Sequence, residues 1–361
     1  MTRSAITKMQ ASVLIVIIVA VAAVGTYAYV TSQTPARQRL IVSTTTSLYE
    51  TGFLDELKVK FEAKYTYLNV SFISQGTGLA IQTAMRGDAD MILVHDPARE
   101  VQFLQGGYGV NRKIVAYNFF IIVGPSDDPA GIAGKSPGEA LEMIRSAGLN
   151  GATVWVSRGD DSGTHSKEKT LWKSINLDTK NLRTESWYLE AGSGMTATLK
   201  LANEKRGYTL TDIGSYLLNF NNHNIDLVKL VEAGKSMLNV YSVIAGDPRN
   251  ANLTKANFEG SMLLIKYLVS NEGQDLFANF GVKDYGQSLF KPYLKLVESN
   301  SDPEIIQWIQ ELAFIDGSEC PDQYRYNAAG LYSMSPTAPV LAVAPFAVLR
   351  KIESWILSAK A

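Results

Sequence analysis

Apolar and polar positions follow a repeating order along this chain. A short apolar run at residues 40–42 ends in the hydroxyl cluster Ser43-Thr44-Thr45-Thr46-Ser47, after which Phe53, Leu54, Leu57 and Phe61 recur at helical spacing. That order reads as strand, polar loop, helix. It returns with residues 69–73 as strand, Ser74-Gln75-Gly76-Thr77-Gly78 as loop and residues 79–86 as helix, followed by a buried strand at 91–94. Alternating β and α units predict a parallel sheet covered by helices on both faces.

A longer apolar stretch at residues 117–123 closes on Gly124-Pro125-Ser126-Asp127-Asp128-Pro129 and is long enough to bridge two lobes. Beyond it the pattern predicts a helix over 138–147, a strand over 153–156, a polar loop over 157–164, a helix from Lys167 and another over 195–204. A strand at 240–244 returns the chain to the first unit, where 258–280 supplies amphipathic helix. Two crossings predict an α/β fold of two lobes about a hinged cleft. The expected boundaries are 40–120 with 243–300 for the first lobe, 121–242 for the second, and 301–361 for a C-terminal extension. In that extension 305–314 reads as helix, 338–349 as an apolar stretch broken by Pro339 and Pro345, and 346–360 as amphipathic helix packed on the first lobe. A segment facing the membrane or a permease is the alternative there.

The N-terminus changes the picture of where this fold resides. No charged residue occurs from Met9 to Ala36, and residues 11–30 are almost wholly apolar over a length able to cross a bilayer core of about 30 Å. Arg3 and Lys8 precede this run, which predicts a cytoplasmic N-terminus and an extracytoplasmic position for everything after Thr31. Residues 1–31 are therefore expected to be a membrane anchor or signal. A retained transmembrane helix is preferred because the run exceeds a signal-peptide core. Residues 32–39 make a polar linker. The net charge of −1 over 361 residues and the lack of a dense Lys/Arg run exclude nucleic acid as a partner. One cysteine, Cys320, and three histidines, His95, His165 and His223, exclude a disulfide framework and a Cys/His metal cluster, and no cofactor is expected.

The candidate chemistry sits in three loops, each placed after a strand and before a helix. Ligands of open α/β sheets bind there, where helix N-termini turn free N–H groups and a positive dipole end toward an anion. The loops are 44–47, 74–78 and Ser157-Arg158-Gly159-Asp160-Asp161-Ser162-Gly163-Thr164-His165. Hydroxyls and backbone amides donate hydrogen bonds, and Arg158 adds a fixed charge with a planar donor fork. Helix capping is the competing role for any single Ser or Thr. The Gly76-Thr77-Gly78 loop lacks the Lys-Ser/Thr of a phosphate-binding P-loop. Ser162, His165 and Asp160 or Asp161 have the residue types of a hydrolytic triad but lie within six positions of one another with no Gly-x-Ser-x-Gly elbow. Binding without catalysis is expected; a phosphate- or sulfate-ester hydrolase is the alternative of another class.

These residues make the chain recognisable. It resembles the tungstate-binding proteins of ABC transporters, a branch of the type II periplasmic or extracellular solute-binding proteins, over about residues 40–281. The segments that carry this are Thr44-Thr45-Thr46-Ser47, Ser74-Gln75-Gly76-Thr77-Gly78, Arg86-Gly87-Asp88-Ala89-Asp90, Leu93-Val94-His95-Asp96, Val123-Gly124-Pro125, Asp128-Pro129-Ala130-Gly131-Ile132, the Ser157 to His165 loop and Tyr208-Thr209-Leu210-Thr211-Asp212. The resemblance implies a two-lobe type II binding-protein fold, no cofactor, ABC permease subunits as partners, and a cleft lined by Thr45, Thr46, Ser47, Thr77, Arg158, Ser162, Gly163 and Thr164. Three departures stand out: Ile213 where the family tends to carry arginine, Phe119 where an acidic residue is usual, and Val240 where a proline is usual. The Ile213 exchange is expected to remove a charge near the cleft.

Among oxyanions, tungstate fits donor-only loops best. Near neutral pH it carries no proton, whereas monohydrogen phosphate has one that needs an acceptor. Asp160 and Asp161 are expected to orient donors, and the role of Asp96 is open. Molybdate, phosphate and sulfate are the alternatives.

Overall fold

The computed structural model describes residues 17–26, 37–232 and 234–332. Of the expected membrane span, residues 17–26 are helical; the rest lies outside the described residues, as do the apolar and amphipathic stretches expected over 338–360. Among the described residues no helix is long and apolar enough to cross a membrane.

The first lobe opens with β1 (Gln38–Thr45), α1 (Thr46–Glu50), α2 (Phe53–Lys64), β2 (Leu68–Gln75), α3 (Thr77–Met85), β3 (Met91–Val94), α4 (Pro97–Gln105) and a 16-residue strand, β4 (Gly109–Gly124). The second lobe contains α5 (Pro137–Leu149), β5 (Trp155–Ser157), α6 (Gly163–Ser174), β6 (Tyr188–Glu190), α7 (Met195–Glu204), β7 (Thr209–Asp212), α8 (Ile213–Asn221) and β8 (Val228–Val231). The chain returns along β9 (Leu238–Gly246), then forms α9 (Phe258–Leu268), α10 (Asn271–Asn279), β10 (Lys291–Pro292), α11 (Tyr293–Ser299) and α12 (Pro303–Ala313).

The main sheet has the order β10-β4-β9-β3-β1-β2. β1 pairs parallel with β2 and β3, as the alternating pattern predicts, but β9 is antiparallel to both β3 and β4. The reason is the connectivity: β4 leaves the first lobe and β9 comes back, so neighbours that carry opposite crossings run in opposite directions. β4 serves both lobes. Residues 109–119 pair with β9, and Phe120 to Gly124 pair with β7 and β8 of the second lobe. Nearly every side chain of β4 is buried, as a central strand requires.

Differences from the predicted elements have local causes. The hydroxyl-rich segments are not free loops: β1 runs to Thr45 and β2 to Gln75, and α6 begins at Gly163 rather than Lys167. The amphipathic stretch over 258–280 breaks into α9 and α10, because the Ser270 hydroxyl accepts the Gly273 N–H and restarts the helix with a new cap. The second lobe is held by an aromatic core of Trp155, Trp172, Trp187, Tyr188 and Tyr208.

The start of the C-terminal extension closes one face of the first lobe. Ile309 and Ala313 of α12, with Tyr293 and Leu296 of α11, cover Ile114, Tyr117, Leu238 and Val240 of the crossing strands. Buried charges anchor the segment beyond α12. Arg112 Nε donates to Glu100 Oε2 at 2.8 Å, and its Nη1 donates to the carbonyls of Ala313 at 2.7 Å and Glu319 at 3.0 Å. Lys113 and Glu319 pair at 2.6 Å beside it. Removing one member of a buried pair leaves the other unpaired and out of water. Arg112→Ala is therefore expected to lower unfolding stability by about 3–5 kcal/mol in urea titration. A loss below about 1 kcal/mol, the range of a surface pair, would show that this anchor carries no such weight.

Candidate functional site

All three hydroxyl-rich segments arrive at one place, the seam between the lobes. Thr45 ends β1, Gly76 and Thr77 join β2 to α3, and Arg158 to Ser162 join β5 to α6. The first two belong to the first lobe and the third to the second. The approach is close: a Cβ on Gly76 would lie 3.0 Å from the Asp160 carbonyl oxygen, and one on Gly163 would lie 2.7 Å from His95 Cε1. A side chain at Gly163 would displace His95, and one at Gly76 would press on the Asp160 backbone. Arg158 Nη2 crosses the seam and donates to Thr46 Oγ1 at 2.9 Å.

Capping explains Ser162, whose Oγ accepts the His165 N–H at 3.1 Å, but not Thr45, which precedes α1 without a side-chain cap bond. Four donors carried by these three segments have no hydrogen-bond partner among the described residues: Thr45 Oγ1, Thr77 Oγ1, Thr164 Oγ1 and Arg158 Nε. The four residues are at most 1% exposed. An unsatisfied buried polar group costs about 1–3 kcal/mol, so four from three different junctions of both lobes mark a place that needs an acceptor. The N-termini of α3 and α6 add backbone donors of the same polarity.

The nearby carboxylates are turned toward donors. Asp160 Oδ2 accepts from Arg158 Nη2 at 2.5 Å, and its Oδ1 accepts the Ser162 N–H at 3.2 Å. Asp96 Oδ1 caps α4 through the Arg99 N–H at 3.3 Å, while its Oδ2, 3.5 Å from Arg99 Nε, accepts no hydrogen bond among the described residues. Asp161 Oδ1 accepts from Arg99 Nη2 at 2.5 Å, a bond across the seam. Arg99 is a residue that motif reading passed over. The only sequence signal for it is the Asp96-Pro97 helix start directly after β3, which puts the first turn of α4 at the same sheet edge.

Ser47 is placed differently from the other hydroxyls. Its Oγ lies 3.4 Å from His95 Nε2, while His95 Nδ1 lies 2.9 Å from Asn239 Oδ1. Asn239 Nδ2 already donates to Asn118 Oδ1 at 2.8 Å and to Tyr241 OH at 2.9 Å, so its oxygen faces the ring. Nδ1 therefore carries the proton and Nε2 accepts from Ser47. Burial holds His95 below the ordinary histidine range, opposed by Asp212 and Asp96 and reinforced by Arg158. His165 is likewise depressed by burial first, and its Nδ1 accepts the Asp161 N–H at 3.1 Å rather than contacting a carboxylate. With that nitrogen occupied and Ser162 used as a cap, no Ser-His-Asp relay forms in this loop.

A cavity of about 290 Å³ adjoins the seam, between His95 and Asp96, Gly163 and Lys167, and Phe314 of the extension. Burial pushes the Lys167 amine down to about 8. Two of the three departures from the family pattern fall together elsewhere. Phe120 pairs with Asp212, so Phe119 and Ile213 adjoin, and both line a cavity of about 180 Å³ whose wall includes none of the four unpartnered donors.

Comparison with known proteins agrees with this architecture. The family described as PBP superfamily domain matches residues 30–272. The chain is 36% identical over 261 residues to the tungstate-binding protein TupA of Peptoclostridium acidaminophilum, covering 72% of this chain and 87% of that one. Among solved structures, the tungstate-binding protein TupA from Desulfovibrio alaskensis is 37% identical with a TM-score of 0.59, covering 71% of this chain and 98% of that one. The tungstate ABC transporter structure from Geobacter sulfurreducens is 41% identical with a TM-score of 0.58, covering 67% and 98%. The α/β two-lobe architecture, the three strand-to-helix junctions at the seam and this degree of identity together assign the chain to the PBP superfamily, in the family of the tungstate-binding proteins of ABC transporters.

Proposed function

We propose that this chain is the extracytoplasmic solute-binding component of an ABC importer and that it captures a tetrahedral oxyanion, tungstate above all, between its lobes. The observation that carries this is the set of unpartnered buried donors, Thr45 Oγ1, Thr77 Oγ1, Thr164 Oγ1 and Arg158 Nε. An oxyanion accepts from all of them, and a desolvated anion needs such replacements for its lost water. Thr46 holds the Arg158 fork, Ser162 orders the loop as a cap, and Ser47 and Gly163 both stand against His95 at the seam. Because Asp160 and Asp161 are turned toward Arg158, Ser162 and Arg99, neither of them offers an acceptor to the proton of monohydrogen phosphate. Tungstate needs none. The relatives named for tungstate binding support the same ligand.

The protein acts by binding and not by catalysis. Each lobe contributes donors, so ligand favours the closed arrangement, with β4 and β9 as the hinge. Residues 40–120 and 243–300 form one lobe, 121–242 the other, and 301–361 an extension braced on the first. ABC permease subunits receive the ligand from it. Residues 1–31 anchor the chain to the outer face of the cell membrane through a linker at 32–39.

Calorimetric titration with tungstate, molybdate, phosphate and sulfate tests the ligand; heat with phosphate alone, or with none, would overturn the tungstate reading. Hydrogen bonds to charged groups are worth about 1.5–3 kcal/mol, so Arg158→Ala is expected to weaken tungstate binding roughly ten- to a few-hundredfold. Thr77→Ala and Thr164→Ala should each cost less, and Arg158→Lys should recover part of the loss, since a point charge cannot reproduce the fork. Parent-like affinity in a folded Arg158→Ala chain would place the site elsewhere.

The anchor has its own test. The protein should sediment with membranes and be released by protease acting from outside at residues 32–39. Recovery of a soluble mature chain beginning near Ala23 would establish a cleaved signal instead.

A further inference from the structure

One ionisable side chain beside the anion loop has no part in the site described so far. Glu168 lies on α6, one turn below Thr164 on the same helix face, and is 2% exposed. Its Oε1 accepts from Trp155 Nε1 at 2.8 Å and from Tyr188 OH at 2.5 Å, and its Oε2 accepts from Ser157 Oγ at 2.7 Å. Ser157 Oγ in turn accepts the Gly159 N–H at 3.2 Å. The carboxylate thus reaches both neighbours of Arg158, Ser157 directly and Gly159 through Ser157. It does so from the helix whose first residue, Gly163, ends the loop. Both flanks of the segment between β5 and α6 are tied to one buried point.

The surroundings make this costly. Glu168 sits at the edge of the aromatic core formed by Trp155, Trp172 and Tyr188, and burial pushes its carboxyl above the usual range against the hydrogen bonds it receives. In such a place a well-packed apolar side chain usually stabilises a fold as well as an ion does, and what the ion adds is a specified geometry. Here the specified geometry is that of the Arg158 loop. A loop held in its binding shape avoids the ordering cost that a mobile one incurs on association.

We propose that Glu168 is a positioning residue for anion capture, which fixes the loop between β5 and α6 from inside the second lobe so that Arg158 Nε and Thr164 Oγ1 are aimed before the ligand arrives. This rests on the oxyanion reading of the loop. The amide of Glu168→Gln keeps the side-chain shape but not the charge: its oxygen still accepts from Trp155 and Tyr188, toward Ser157 it turns an N–H donor, and all three charge-assisted bonds are weakened together. Ser157→Ala cuts the tie to Gly159 without changing Glu168 and is the milder variant.

The test combines amide hydrogen exchange of the full ligand-free chain with tungstate titration. Expected for Glu168→Gln are faster exchange across residues 158–162 with β4 and β9 unchanged, and a tungstate dissociation constant raised about tenfold. Ser157→Ala should shift both readouts in the same direction by less. Combined with Arg158→Lys, Glu168→Gln should cost less than the product of the two single effects, because both act through the same guanidinium. Lower melting temperatures with parent-like loop exchange, or with a parent-like dissociation constant, would reduce Glu168 to a core residue and overturn the proposal; so would an additive cycle. Should Glu168→Gln fail to fold, Ser157→Ala decides on the same readouts. A parent chain that binds no oxyanion overturns the oxyanion reading instead, and loop exchange then decides alone whether Glu168 fixes the loop.

Discussion

A guanidinium held out of water at the meeting of two lobes organises this structure. Arg158 is 1% exposed, and a charge in that position is tolerated only with partners. Asp160 supplies one from its own loop and Thr46 supplies one from the opposite lobe. Its Nε points where no acceptor among the described residues reaches. The second-lobe loop is shaped around this side chain, with Asp160 bonded at once to the guanidinium and to the Ser162 N–H that starts α6. Loop conformation, helix start and lobe contact are therefore one arrangement.

The rims of the seam contribute pairs of another kind. Arg99 meets Asp161 on one side, Glu50 accepts from Thr196 Oγ1 at 3.0 Å on another, and Lys235 pairs with Glu311 of the extension. Exposed pairs of this sort are worth about 0–1 kcal/mol each. They steer how the lobes meet but supply little of the energy of holding them together. The central donors matter more, because their cost while unpartnered is larger than the gain from any rim contact.

The seam also communicates with the crossing strands. Asn118 on β4 and Asn239 on β9 bond to one another, Asn239 faces His95, and His95 faces Ser47. The crossing strands and the first-lobe side of the seam share a short chain of buried polar groups that fixes amide orientation and imidazole tautomer together. Networks of this kind are stable only when every member is paired. The neutral His95 that burial favours is the form that completes this one.

Much of this was written locally in the chain. The strand-then-helix periodicity placed β1, α2, β2, α3 and β3, because a buried strand and an amphipathic helix need apolar residues at distinct spacings. The same local order put hydroxyls, glycines and Arg158 at the ends of strands where anions bind. Short strands such as β6 and β8 carry too little pattern to be read, and the antiparallel course of β9 follows from where the chain returns. Glu168 was invisible for a related reason: its partners Trp155, Ser157 and Tyr188 lie on other elements, and for Arg99 the local helix start gave the place but not the Asp161 partner across the seam. Ser47 and Thr45 look alike in sequence, yet one hydroxyl faces His95 and the other has no partner among the described residues. Residue type and spacing set the supply of donors. Which donors stay unpaired depends on what the rest of the fold brings within about 3 Å of each, and a hydrogen bond is satisfied by neighbours in space whatever their distance along the chain.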